Sequence, residues 1–500
     1  MPRQLALLLC TGFVLYLLRL ERRQSAGVSA ASWIPTLWML AIASKPLGVW
    51  FGNVGDAESG SILDRLVLTG LAAAAIAVLL RRQFDWAGVL RRHPWLLLLL
   101  AYMLLSTLWS DIAAIAARRW MRAIVVLPMA MVVLSEDEPR RAMESLLRRT
   151  AYLLIPFSLM LIKYYPRLGV DYARWSGNQM WVGVTPHKNT LGRLCVVVGF
   201  FLLGALYRRW RARRSVAQAQ PWWPDGLILV VTLHILRGAE NAFSATSIGT
   251  LIFGVAFALT ILWFQKGRPG VPRPAVMGFA VFLIGFGTAS PFLGGSNLAG
   301  FTSSFGRTET LTGRTETWTQ LTPVVAAHAL LGEGFGSFWT TQRRAYYQMS
   351  HGHNGYLDIL LELGTVGLGL YTIWLLSCAW RLGRNPPVKE YWTTLGLGYL
   401  MMALVYNYTE SSLNDPSEFF TAVVICSCLV VQHESVREAK GPHFGVRVHV
   451  SPKRDVGTSS PQPSTPADGG TLRVFSRRRG QRRNWSRSRQ GGQTPSRTPA

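Results

Sequence analysis

Blocks of about 15–22 apolar residues recur along this chain, separated by short loops dense in arginine. A bilayer core ~30 Å thick takes about 20 apolar residues per crossing helix, and the chain supplies that unit repeatedly. The pattern predicts an all-α, polytopic transmembrane helical bundle of 12–13 spans. Composition agrees, because 49% of the 500 residues are hydrophobic and 16% charged, whereas soluble domains carry about 25% charge. Thirteen spans are expected, near 5–18, 33–51, 62–80, 95–109, 119–134, 150–163, 189–207, 226–239, 244–264, 275–292, 356–380, 392–408 and 418–432. Pro35, Lys45 and Pro46 interrupt the second, and Arg237, Glu240 and Asn241 lie between the eighth and ninth.

The net charge of +26 is a topology signal before it is a ligand signal. Loops 19–32, 81–92, 135–149, 207–224, 265–273 and 381–389 are rich in Lys and Arg, which marks the cytoplasmic side. The stretch 292–355 carries only Arg307, Arg314, Arg343 and Arg344, so it is expected to face outward. Arg19, Arg22 and Arg23 follow the first apolar block rather than precede it, the wrong order for a cleaved signal peptide. An anchored first helix is expected. Cys10, Cys195, Cys378, Cys426 and Cys428 sit inside apolar blocks and suggest neither a disulfide framework nor a metal motif.

Four regions follow: an N-terminal bundle over 1–291, an outer loop with an amphipathic helix over 292–355, C-terminal spans over 356–432, and a tail over 433–500. The tail is dominated by Pro, Ser, Thr, Gly and Arg, cannot offset its ordering entropy by burial, and is expected to be a disordered basic cytoplasmic segment near anionic lipid. No aromatic spacing beyond the lone tryptophan Trp485 supports nucleic-acid binding there, so no nucleic-acid partner is expected.

Ionisable groups in membrane segments are candidate functional sites, and three polar clusters share the outward side. In Thr185-Pro186-His187-Lys188-Asn189, a cation, an imidazole and an amide stand at the start of a helix, where the helix dipole adds attraction for phosphate. The alternative is a polar helix start with a snorkelling lysine. In Gly313-Arg314-Thr315-Glu316-Thr317-Trp318 a guanidinium fork suits bidentate phosphate capture. Trp318, Leu321 and Val325 form one stripe, so this helix is expected along the membrane surface. Arg307 repeats the motif, and headgroup snorkelling is the alternative. In His351-Gly352-His353-Asn354-Gly355-Tyr356-Leu357-Asp358, a histidine at a loop-to-helix junction can take a proton from a hydroxyl. A polar helix cap is the alternative. Two histidines at i, i+2 lack a third ligand at fitting spacing, so no metal is expected, and Asp358 is expected to orient a side chain. Trp175, Trp181, Trp318 and Trp339 are candidate sugar platforms.

These clusters, in this order, resemble the O-antigen ligase and polysaccharide polymerase superfamily. The carriers are Gly313-Arg314-x-x-x-Trp318, Leu331-Gly332-Glu333-Gly334-Phe335-Gly336 and His353-Asn354-x-Tyr356-Leu357 running to Glu362-Leu363-Gly364. His187-Lys188-Asn189 is closest to the exopolysaccharide polymerase branch. The likeness covers roughly 30–432 and is most specific over 183–192 and 306–367.

The resemblance implies a bundle similar to C-type glycosyltransferases in the bacterial inner membrane, with its site facing the periplasm. It implies a metal-independent transferase, with no cofactor, that takes glycan from an undecaprenyl-diphosphate donor to a glycan or lipid acceptor. Membrane lipids and polysaccharide export and chain-length machinery are the implied partners. By the same resemblance His353 is the base, Arg314 or Arg307 a diphosphate ligand, and His187, Lys188, Asn189, Asn354 and Trp318 substrate contacts. The family often opens its ninth span with Ser-Arg or Ser-Lys, where this chain has Ser244-Ala245-Thr246; Arg237 is the candidate replacement cation. The readings carried forward are an exopolysaccharide polymerase, an O-antigen ligase using a lipid A-core acceptor, and a non-enzymatic polysaccharide or lipid transporter. A transporter should show internal repeats and paired broken helices, and no repeat is visible in the sequence.

Overall fold

A computed structural model describes residues 2–52, 61–172, 177–212, 221–239, 243–267, 272–292, 309–383, 391–412 and 417–427. Within these, only the backbone is described for 212, 265–267 and 309–315. The architecture is that of an all-α, multi-pass membrane protein. The only strands among the described residues are Val170–Tyr172 and Gln179–Trp181, an antiparallel pair in which Val170 faces Trp181. Seven helices are long and apolar enough to cross a bilayer: Arg3–Gln24, Ile62–Arg81, Pro139–Tyr164, Lys188–Arg211, Ala245–Phe264, Arg273–Phe292 and Gly355–Leu382. Shorter apolar helices occupy Ala30–Ala43, Pro94–Trp109 and Glu418–Ser427, and further helices occupy Trp223–Arg237 and, after the last long one, Tyr391–Tyr406.

Several expected spans have different bounds, each for a local reason. The second stops at Ala43 and resumes as the single turn Leu47–Trp50, because Pro46 disfavours helical backbone at Lys45 and has no N–H to continue the ladder. The fifth is two helices, Ala113–Ile124 and Val126–Leu134; Arg118, Arg119 and Arg122 are carried by the first. The sixth starts at Pro139, earlier than expected, so Arg148 and Arg149 lie in the helix rather than in a solvated loop. Both are buried and paired. Arg149 meets Glu21 at 2.9 Å, and Arg148 meets both oxygens of Asp225 at 3.1 and 3.2 Å, with Tyr152 donating to the same carboxylate. Buried charges of this kind persist only when paired, and here they lock three helices together.

Pro139–Tyr164 is central, with 83% of its apolar window buried against 11% for Ile62–Arg81 on the periphery. Peripheral helices expose Leu8, Leu66, Ile252 and Trp263, as a lipid-facing surface requires. In lipid, close helix approach depends on small residues more than on the hydrophobic effect. Gly254 lies against Met402, Gly398 against Phe200, and Gly287 against Tyr356.

The Gly355–Leu382 helix breaks at Gly364, where φ is 63° and ψ −165°. The loop after the Glu309–Ala327 helix fills the break. Glu333 and Gly334 donate to the carbonyls of Leu361 and Glu362 at 3.0 and 2.8 Å, and Thr365 and Val366 donate back to Ala329 and Leu330. The freed backbone groups are thus paired inside protein, as membrane depth demands. Gly332 and Gly364 both have positive φ, and a Cβ on either would overlap the opposing chain.

The stripe Trp318, Leu321 and Val325 does not rest on lipid as expected. It is buried against Phe338, Trp339, Leu357, Leu360 and Leu361, so this helix packs on the broken helix. Trp175, Arg307 and residues 433–500 lie outside the described residues, as does the side chain of Arg314.

Candidate active site

The helix that starts at Gly355 begins there because Asn354 is extended and its Oδ1 accepts from the N–H groups of Tyr356 and Leu357, at 2.9 and 3.0 Å. Its Nδ2 donates to the Gly287 carbonyl and to Ser290 Oγ. Asn354 is fully buried, so it acts as a helix cap and interhelical tie. The expected substrate contact at Asn354 is corrected accordingly.

The preceding loop is clamped on both sides. The indole N–H of Trp318 donates to the Gly352 carbonyl at 2.7 Å. Asp358 Oδ1 accepts from the Gly352 N–H at 3.0 Å and from the Trp339 indole at 2.8 Å. Trp318 and Trp339 are 3% and 5% exposed, so neither presents a face to a sugar. Burial replaces the expected stacking role of Trp318 with an anchoring one. Asp358 positions the loop and an indole, in line with the orienting role expected of it.

Between the clamps, His353 sits at φ 50°, a left-handed conformation that costs a side-chain-bearing residue energy and clusters at functional sites. Its backbone N–H donates to His351 Nδ1 at 3.1 Å. Its ring Nδ1 lies 3.2 Å from Glu410 Oε1, and His351 Nε2 lies 3.5 Å from Glu410 Oε2. The two imidazoles lie against each other with centroids 4.2 Å apart and planes tilted by 54°. The same Oε1 accepts from Asn189 Nδ2 at 2.5 Å, and the Asn189 carbonyl accepts from the Tyr406 hydroxyl. His353 keeps 22% of its side chain exposed while Glu410 keeps 6%.

Residues distant in sequence therefore meet at one end of the bundle: the starts of the helices at Lys188 and Gly355, and the chain just past Tyr406. Behind Asn189, one helical turn on, Arg193 pairs with buried Glu418 at 2.6 Å. At the opposite end stand Arg208, Arg209, Arg273 and Arg381, and Arg273 ties to Gly383 there.

A small cleft of about 10 Å³, room for roughly one water, adjoins Asn189, lined by Trp181, Lys188, Leu191, Ile235, Leu236 and Phe243 among others. Trp181 packs beside His234 and under Lys163 Nζ, 5.1 Å from the ring centre. Arg237 is exposed, between Leu236 and Gly238 of the cleft wall, and His187 is exposed on the adjacent loop. Asn189 thus joins the His353 cluster, Lys188 lines the cleft, and His187 and Arg237 stand at its margin.

His351, His353 and Glu410 offer three ligand atoms within 4.8 Å of one another, so a third donor exists that sequence spacing did not disclose. The hydrogen bonds join these three side chains into one cluster of proton donors and acceptors. His351 Nδ1 accepts a backbone N–H, so its proton is on Nε2, the atom facing Glu410.

Glu410 and Arg193 are the residues that sequence reasoning missed, and His351 was weighed there only as a metal partner for His353. Glu410 follows Tyr406-Asn407-Tyr408-Thr409, a polar run closing an apolar block; an ionisable residue at that depth was the available signal.

Residues 241–372 match the family described as O-Antigen ligase. The chain is also 22% identical over 345 residues to the exopolysaccharide production protein ExoQ of Rhizobium meliloti (strain 1021), an alignment covering 64% of this chain and 74% of that one. No solved structure matches. The matched interval contains the helix break at Gly364, the clamped loop and His353, so it is in these parts of a multi-pass membrane protein that the chain is similar to the O-antigen ligase family.

Proposed function

We propose that this protein polymerises undecaprenyl-diphosphate-linked oligosaccharide units into exopolysaccharide at the periplasmic face of the bacterial inner membrane. The observation that carries the reading is a half-buried His353 imidazole held by Glu410, whose carboxylate also accepts from Asn189, the neighbour in sequence of Lys188 in a cleft otherwise walled largely by apolar side chains. The apolar wall suits the first isoprene units of a polyprenyl chain. Lys188, His187 and Arg237 supply positive charge for a diphosphate, with Arg314 and Arg307 assigned to it on sequence grounds. His353 takes the proton of the acceptor hydroxyl as that oxygen attacks the anomeric carbon. The bond from that carbon to the phosphate oxygen breaks, and the diphosphate leaves with the electron pair. Diphosphate is a good leaving group, so positioning, charge stabilisation and one base suffice without a metal.

The basic end of the bundle supports a cytoplasmic placement for Arg208, Arg209, Arg273 and Arg381, and hence a periplasmic one for His353. On the same reading, 1–291 and 356–432 form the membrane bundle, 292–355 the outer loop and 433–500 a cytoplasmic tail. Export and chain-length proteins would act on the product. Polymerase is preferred to ligase because of His187-Lys188-Asn189 and because ExoQ is described as an exopolysaccharide production protein.

The test is glycan analysis in a deletion strain complemented with wild type or with His353→Ala. The variant is expected to insert normally and to lose about 10²–10⁴-fold of transfer activity. Single repeat units accumulating on the lipid carrier support the polymerase; full-length glycan on the carrier indicates a ligase acting on lipid A-core. Normal polymer from His353→Ala would remove the base assignment, and purified protein unable to move glycan from a lipid-diphosphate donor would favour a transporter.

A further inference from the structure

We propose that Glu410 is the positioning residue of the transfer reaction, holding the His353 imidazole in the tautomer that leaves Nε2 free to accept the acceptor's proton. The inference rests on the reading of His353 as base and deepens it.

A carboxylate can only accept hydrogen bonds. With Glu410 Oε1 at 3.2 Å from His353 Nδ1, the neutral ring must carry its proton on Nδ1, and the lone pair resides on Nε2. The second imidazole is oriented by the same logic. His351 Nδ1 accepts the His353 backbone N–H and its Nε2–H points at Glu410 Oε2. Asn189 supplies a further donor to Oε1. Three donors from two separate segments therefore converge on one nearly buried carboxylate, which orients it as well as His353. The groups facing His353 are His351, Glu410 and, more remotely, Asp358, while Arg193 and Tyr406 face Glu410 from behind.

In the step itself, the hydroxyl proton passes to His353 Nε2 as the new glycosidic bond forms and the diphosphate departs. The imidazolium keeps its Nδ1–H on Glu410, and the carboxylate stabilises that new positive charge. The proton then leaves from Nε2 to water or to the departing diphosphate. Glu410 never touches the substrate, so its effect should fall on turnover rather than on donor binding.

The experiment measures kcat and donor KM for full-length protein in lipid, with Glu410→Gln, Glu410→Asp, His353→Ala and the Glu410→Gln/His353→Ala double variant, alongside membrane levels of each. Glu410→Gln is expected to lower kcat on the order of 10²-fold with KM nearly unchanged. Glu410→Asp should recover part of that loss, and the double variant should be no worse than His353→Ala alone, as for residues acting as one unit. Wild-type kcat in Glu410→Gln, with His353→Ala inactive, would overturn the positioning role and leave the base assignment standing. Full turnover in His353→Ala would defeat the underlying reading, and this inference with it. Loss of both kcat and donor affinity with no recovery in Glu410→Asp would mark Glu410 as a structural strut. Chelator-sensitive activity restored by zinc would make the cluster a metal site.

Discussion

Polar residues at a helix start can serve a ligand or the helix itself, and this chain contains both cases within two positions. His353 faces partly outward, while Asn354 turns inward to cap Tyr356 and Leu357 and to bond Gly287 and Ser290. Sequence cannot separate them, because both follow from where the next helix lies. Trp318 and Trp339 make the same point: aromatics on an outer loop read as sugar platforms, yet each spends its indole N–H on the loop that carries His353. Asn354→Ala should lose the cap and the two hydrogen bonds to Gly287 and Ser290, lowering stability by about 1–3 kcal/mol. The check is the thermal midpoint of purified protein, and an unchanged midpoint would deny Asn354 its structural role.

At the scale of elements, periodicity located most helices but not their interruptions. The run Leu363-Gly364-Thr365-Val366 reads as continuous apolar helix, whereas the chain breaks at Gly364 and pairs with the loop after Ala329. Only the resemblance drew notice to Gly332 and Gly364; the reason for them is the positive φ at each and the absence of room for a Cβ. Gly364→Ala should cost about 2–4 kcal/mol from strain and overlap, seen as poor accumulation in the membrane. Gly369→Ala, on the same helix with nothing near its Cβ position, serves as control and should accumulate normally. The surface helix was misjudged for a related reason: the stripe at Trp318, Leu321 and Val325 was legible, but a stripe does not say whether lipid or protein covers it.

For the whole molecule, charge distribution and helix order make one connected prediction. In a background freed of its five cysteines, His187→Cys should react with a membrane-impermeant thiol reagent applied to spheroplasts. Arg211→Cys should react only after permeabilisation. The reverse pattern would invert the topology and place the cleft on the cytoplasmic side, incompatible with the proposed donor geometry.

Apolar block length and the asymmetry of arginine between loops are properties of the chain read in order, and these alone specified an all-α membrane bundle, while short local motifs carried the resemblance to the O-antigen ligase family. Histidine at a loop-to-helix junction was legible for the same reason, since its surroundings are local. Glu410 was not. Its role depends on a carboxylate 57 residues from His353 and 221 from Asn189 reaching both at hydrogen-bond distance. No local pattern encodes such a meeting, because it is decided by how helices pack. Tertiary structure likewise decided which indoles are buried, which arginines are paired inside the bundle, and where a long helix must break.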